Sequence, residues 1–138
     1  MYKLAVVIAA LISLNLVGCG QRPRIDVLVT IEDGHVVFDL PHSGMNYINN
    51  VKVLGDDGKP LWHIHVGGQK WQGKSLKITY GVLPPAETDS NSAPHQFFPR
   101  ENQPPRDIRG KTVQVEVYYQ YDSPAPSMAT FRKSVEIP

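Results

Sequence analysis

The sequence predicts an all-β protein, an antiparallel β-sandwich of about seven strands. Three observations carry this prediction. From Ile25 onward, apolar side chains recur at every second position, the period of a strand with one buried face. The 12 prolines and 11 glycines fall largely between those runs, where turns are needed. No segment after Cys19 keeps the three-to-four spacing of an amphipathic helix.

Each element follows from local chemistry. Ile25, Val27, Val29 and Ile31 alternate with Asp26, Leu28, Thr30 and Glu32, which predicts the first strand. Asp33-Gly34 predicts a tight hairpin turn, since both central residues of such a turn need positive φ. His35–Leu40 is the return strand, broken by Pro41-His42-Ser43-Gly44. Asn46–Leu54 is the third strand, with Val51 and Val53 on one side and the facing of Ile48 and Asn49 open. Asp56-Asp57-Gly58 turns the chain into Pro60–Val66, where Trp62, Ile64 and Val66 share a face. Ser75–Val82 places Leu76, Ile78 and Tyr80 together before Pro84-Pro85.

Residues 84–110 hold six prolines and no sustained period, so a long Pro-rich loop is expected there. Thr112–Tyr121 has the strongest alternation in the chain, with Val113, Val115, Val117, Tyr119 and Tyr121 on one face. Asp122–Pro126 is a turn. Ala129–Ile137 is the last strand; Lys133 interrupts its apolar face, which a bulge or an exposed edge would explain. The expected core comprises Trp62, Ile64, Val66, Leu76, Ile78, Tyr80, Val113, Val115, Val117, Tyr119 and Phe131.

The N-terminus carries a different message. Lys3 precedes an apolar run, Leu4–Val17, that is shorter than the roughly 20 residues of a membrane-spanning helix and has the flanks of a signal peptide. The run ends in Leu16-Val17-Gly18-Cys19, which resembles the lipobox of bacterial lipoproteins. That resemblance implies a signal peptide over 1–18, cleavage before Cys19 and a diacylglyceryl group on its sulfur. An N-acyl chain would follow in a Gram-negative cell. Two acyl chains anchor stably where one binds reversibly. Gly20 in place of Asp implies the outer membrane, facing the periplasm. Residues 19–23 then form a short tether and 24–138 the sandwich domain.

The strands also resemble the immunoglobulin/fibronectin-type sandwich. Trp62 stands mid-chain on a strand like the core tryptophan of such domains, and Tyr119 and Tyr121 stand on the penultimate strand. The runs Leu76–Pro84 and Val113–Val117, with Gly110 before the second, look like a pattern in small bacterial envelope lipoproteins. Fold of this kind carries little functional information.

Composition narrows the function. Loss of Lys3 balances the remaining basic side chains against the 13 acidic ones, so no basic patch points to nucleic acid. Lipidation of the one cysteine leaves no thiol for a disulfide, a thiolate metal site or a nucleophile. His63 and His65 are the candidate metal ligands, because i and i+2 of a strand share a face; His35, His42 or His95 would supply a third ligand. With Trp62, Ile64 and Val66 inward, the pair points outward, where histidines are usually plain polar surface.

Asp39, His42 and Ser43 have the residue types of a nucleophilic triad but match no known spacing, and most carboxylates sit in turns. No enzyme is expected, and no cofactor beyond the acyl chains on Cys19. Phe97 and Phe98 are the candidate binding residues: exposed, they form an apolar patch; buried, they tether the loop with about 3–6 kcal/mol. Tyr118, on the outward face beside Gln120, suits an interface or a covered sheet. The expected function is a non-catalytic binding or scaffold module, held at the membrane by its lipid and engaging another envelope protein. The alternative is a metal- or small-ligand-binding envelope lipoprotein that uses His63 and His65.

Overall fold

The computed structural model describes residues 24–43, 47–70, 75–86, 92–121 and 127–138. The expected signal peptide, the lipobox-like run with Cys19, and the expected 122–126 turn lie outside the described residues, as do the side chains of His42 and Ser43. The described chain forms β1 (Arg24–Ile25), β2 (Leu28–Glu32), β3 (His35–Leu40), β4 (His42–Ser43) and β5 (Tyr47–Leu54). It continues through β6 (Pro60–Lys70), β7 (Leu76–Thr79), β8 (His95–Phe98), β9 (Thr112–Tyr121) and β10 (Ser127–Glu136).

Two antiparallel sheets make an all-β sandwich. One has the order β2-β3-β7, the other β10-β9-β5-β6-β8; β1 and β4 pair separately. Lettered as an immunoglobulin-type domain, β2, β3 and β7 are A, B and E, and β10, β9, β5 and β6 are G, F, C and C′. The expected fold class therefore holds, with β8 added beyond C′. Trp62 lies on the C′ strand, one place from the strand that carries the core tryptophan in antibody domains.

Alternation decides the core. Val51, Val53, Trp62, Ile64, Val66, Val113, Val115 and Val117 turn inward from one sheet to meet Val36, Phe38, Leu40 and Ile78 from the other. Tyr80 bridges the layers, edge-on to both Trp62 (centroids 5.3 Å apart) and Phe38 (6.3 Å). Leu76, Tyr80 and Phe131, expected in the core, lie at its half-buried margin. The Asp33-Gly34 turn has positive φ at both residues (49° and 79°), as its sequence demands.

Three departures from simple alternation shape the molecule. Asn49 is an extra residue of β5 relative to β9, and this bulge keeps Ile48 buried while Asn50 faces out opposite His65. Lys133 occupies a core-side position of β10, in unbroken register with β9. Because β10 is the sheet edge, its ammonium reaches Asp26 and the carbonyl of Val27 (3.1 Å). The exposed edge, not a bulge, explains that lysine.

The third departure is in 84–110. This segment is not one long loop: His95–Phe98 extends the five-stranded sheet along β6. Ile108 enters the core, and it is the one branched aliphatic residue between Pro84 and Gly110.

Candidate binding surface

The outward face of β6 and β8 collects the residues that the sequence singled out. His65 pairs with His95, Ile64 with Gln96, and His63 with Phe98, which leaves Phe97 as an extra residue on β8. Regular alternation would send one phenylalanine in and one out. The bulge places both on the outer face, 51% and 44% exposed. Neither ring tethers the segment by burial.

The tether is Gln96, aimed inward. The Trp62 indole N–H donates to Gln96 Oε1 (2.9 Å). The Gln96 amide nitrogen donates to the carbonyls of Pro99 (3.0 Å), Arg100 (3.3 Å) and Gln103 (2.9 Å). One side chain thus satisfies a buried donor and folds the following turn. At the far end of that turn, the Tyr80 hydroxyl donates to the Arg106 carbonyl (2.9 Å).

On the outer face, Phe97 packs at a tilt against His63 (centroids 4.7 Å) and edge-on against His95 (4.5 Å), and His95 packs at a tilt against His65 (5.0 Å). Next to them lies an ion network. Glu116, only 3% exposed, accepts from Arg132 Nε (2.7 Å) and from the Tyr118 hydroxyl (3.2 Å), with Lys52 Nζ at 3.9 Å. Lys52 also lies over the Tyr118 ring, 5.3 Å from its centroid. His63, Phe97, Phe98 and Tyr118 line one recess of about 360 Å³ with this network. Four of the five candidate binding and metal residues therefore converge, although they come from three strands.

The Phe97–Phe98 ridge has a second, larger recess on its other flank, about 880 Å³. Leu61, Pro60, Pro99 and Pro104 line it with both phenylalanines, and Lys59, Arg100 and Arg106 supply positive charge. Asp57 also lines this recess, but it pairs with Lys59 (3.6 Å). The sequence does not single out Gln96 or Ile108, and it shows Arg100 and Arg106 only within a mixed-charge, solvated rim with Glu101, Asp107 and Arg109. Ile108 was legible as the lone branched aliphatic residue of its segment, whereas Gln96 matters only through tertiary partners.

The histidines behave as part of a packed surface. Burial, reinforced by Lys52 and His95 against an opposing pull from Glu116, holds His63 below its ordinary pKa. Burial and then His95 lower His65 likewise. Asn50 Oδ1 accepts only, so His65 Nδ1 carries a proton toward it (3.0 Å) and Nε2 accepts from the Ser92 hydroxyl (2.7 Å). Both nitrogens that a metal would need are engaged. His63 Nε2 is buried without a hydrogen-bond partner among the described residues. Among the described residues no three His, Cys, Asp or Glu side chains cluster to hold an ion. Asp39 lies opposite Leu28 and Lys77 on the three-stranded sheet, and nothing described assembles a triad around it.

The surface is thus an aromatic ridge between two recesses, built on a bulged edge strand. Comparisons of the chain with protein-family profiles, with curated proteins and with solved structures each return no match.

Proposed function

We propose that this chain is a lipid-anchored cell-envelope lipoprotein that acts without catalysis, binding another envelope protein through the Phe97–Phe98 ridge. The signal peptide over 1–18 directs export, and diacylglycerol on Cys19 holds the sandwich at the membrane. In a Gram-negative cell that membrane is the outer one and the sandwich faces the periplasm. The observation that carries the binding role is the exposure of two adjacent phenylalanines on one face (51% and 44%). Aromatic side chains are enriched at the centre of protein interfaces, and about half of each phenylalanine here is left open to a partner. The bulge that creates the ridge gives up a regular ladder position.

Two measurements test the two halves of the reading. An alkyne-tagged fatty acid fed to expressing cells should label the wild-type chain and not Cys19→Ser; an unlabelled wild type removes the anchor. A photo-cross-linking amino acid at Phe98 should capture one discrete partner, and the same probe at Lys77 should not. Phe97→Ala in the Phe98-probe background should diminish that product, at unchanged thermal stability. Equal products from both positions would remove the ridge as an interface.

A further inference from the structure

We propose that the larger recess docks an extended partner segment in which acidic side chains flank an apolar one. This deepens the binding reading above and rests on it.

Four observations converge. First, the lining offers apolar surface: Leu61 and Pro104, with the flank of the Phe97–Phe98 ridge, give a landing for one large apolar side chain. Second, the rim is positive and unspent. Arg100 and Arg106 are exposed, and neither guanidinium has an ion-pair partner among the described residues. Of the nearby acids, Glu101 does not line the recess, and Asp107 and Asp57 have partners of their own. Asp107 accepts from Arg109 Nη2 (2.7 Å) and Nε (3.0 Å), and Asp57 from Lys59. A guanidinium is a fork of donors matched to a carboxylate.

Third, the rim is pre-organised. Gln96 holds the Arg100 carbonyl and Tyr80 holds that of Arg106, so the backbone at both arginines is fixed from within the domain. A site already ordered loses less entropy when it is occupied. Fourth, the recess is roomy and open, about 880 Å³. A peptide can place side chains in it while its backbone stays hydrated. A lone acyl chain would need an enclosed apolar tunnel, which this recess is not.

The test uses the full chain in lipid nanodiscs and fluorescence anisotropy with labelled peptides. One probe carries two glutamates on each side of a phenylalanine, the other two lysines on each side. The acidic probe should bind and the basic one should not. Arg100→Glu/Arg106→Glu should weaken the acidic probe by about tenfold or more, because two charge-assisted contacts are lost, and should admit the basic probe. Lys77→Gln, on the opposite sheet, should leave both probes unchanged, and the arginine variant should melt as the wild type does. Equal affinity for both probes, indifference to the arginine reversal, displacement of the acidic probe by octanoate at equal concentration, or no binding would each overturn the inference. If it is overturned while the Phe98 cross-link persists, the ridge still binds a partner and only its acidic character falls. If both fail, both readings fall.

Discussion

Gln96 concentrates more structural consequence than any apolar residue of its segment. It is the acceptor for the buried Trp62 indole and the donor to three carbonyls of the next turn. In Gln96→Ala the turn carbonyls can turn to water, but the indole N–H, sealed in the core, cannot. A buried donor left unsatisfied costs about 1–3 kcal/mol, which chemical denaturation should report. The same variant should weaken the acidic probe, because Arg100 loses its anchored backbone. A stability loss with the probe affinity intact would show that Gln96 serves the core alone.

The histidine pair makes a second prediction at this scale. Both imidazoles have folded pKa values below the unfolded 6.5. As pH falls through that value, the unfolded chain takes up protons that the folded chain resists, so stability declines with falling pH. The lowered carboxylates Asp26, Glu32 and Asp57 act in the same direction but at more acidic pH, below their unfolded values near 4. The unfolding midpoint should therefore drop between pH 7.5 and pH 5.5, and His63→Gln/His65→Gln should flatten that slope. An unchanged slope would assign the effect to other groups.

At the scale of elements, β8 is where sequence and structure part company. The seven strands β2, β3, β5, β6, β7, β9 and β10 announce themselves by alternation, and the Asp33-Gly34 turn by residue type. His95–Phe98 is a four-residue strand with an extra residue inside it, so its period is broken over the length that would reveal it. Its pairing depends on β6, some thirty residues away in sequence, and on Gly67. Gly67 adopts φ +81°, and a Cβ there would come within 2.8 Å of the Ser92 carbonyl oxygen. Gly67→Ala should cost about 1–2 kcal/mol from backbone strain alone and should also push the lead-in to β8 away. Deleting Phe97 tests the opposite change. It restores Gln96-in, Phe98-out alternation, so the melting temperature should barely move, while the Phe98 cross-link should fade as half of the ridge is lost. A collapse of the fold would mean that the bulge is structural rather than functional.

For the whole molecule, strand direction separates two ends. Arg24 and Ile25 pair with Ser43 and His42, and Tyr47 with Gln120, so the N-terminal entry, the start of β5 and the end of β9 lie together. The opposite end holds the β5–β6 turn, where Leu54 meets Pro60 and where the larger recess opens beside Asp57 and Lys59. The eight residues of β5 span roughly 25 Å between them at about 3.3 Å per residue. On the proposed anchor, residues 19–23 leave only a short tether, so the entry end lies near the bilayer and the recess is held away from it. That suits a partner approaching from the aqueous side rather than a ligand drawn from the lipid. With Cys19 acylated, an introduced cysteine is the only free thiol, and a fluorophore can report depth. Met128, 68% exposed opposite Gln120, belongs to the entry end, and Asn102 belongs to the turn beside the recess. In nanodiscs with nitroxide-labelled headgroups, Met128→Cys fluorescence should be quenched and Asn102→Cys fluorescence should not. Quenching at Asn102 alone would invert the orientation, and a recess pressed against the headgroups would leave no room for the partner segment.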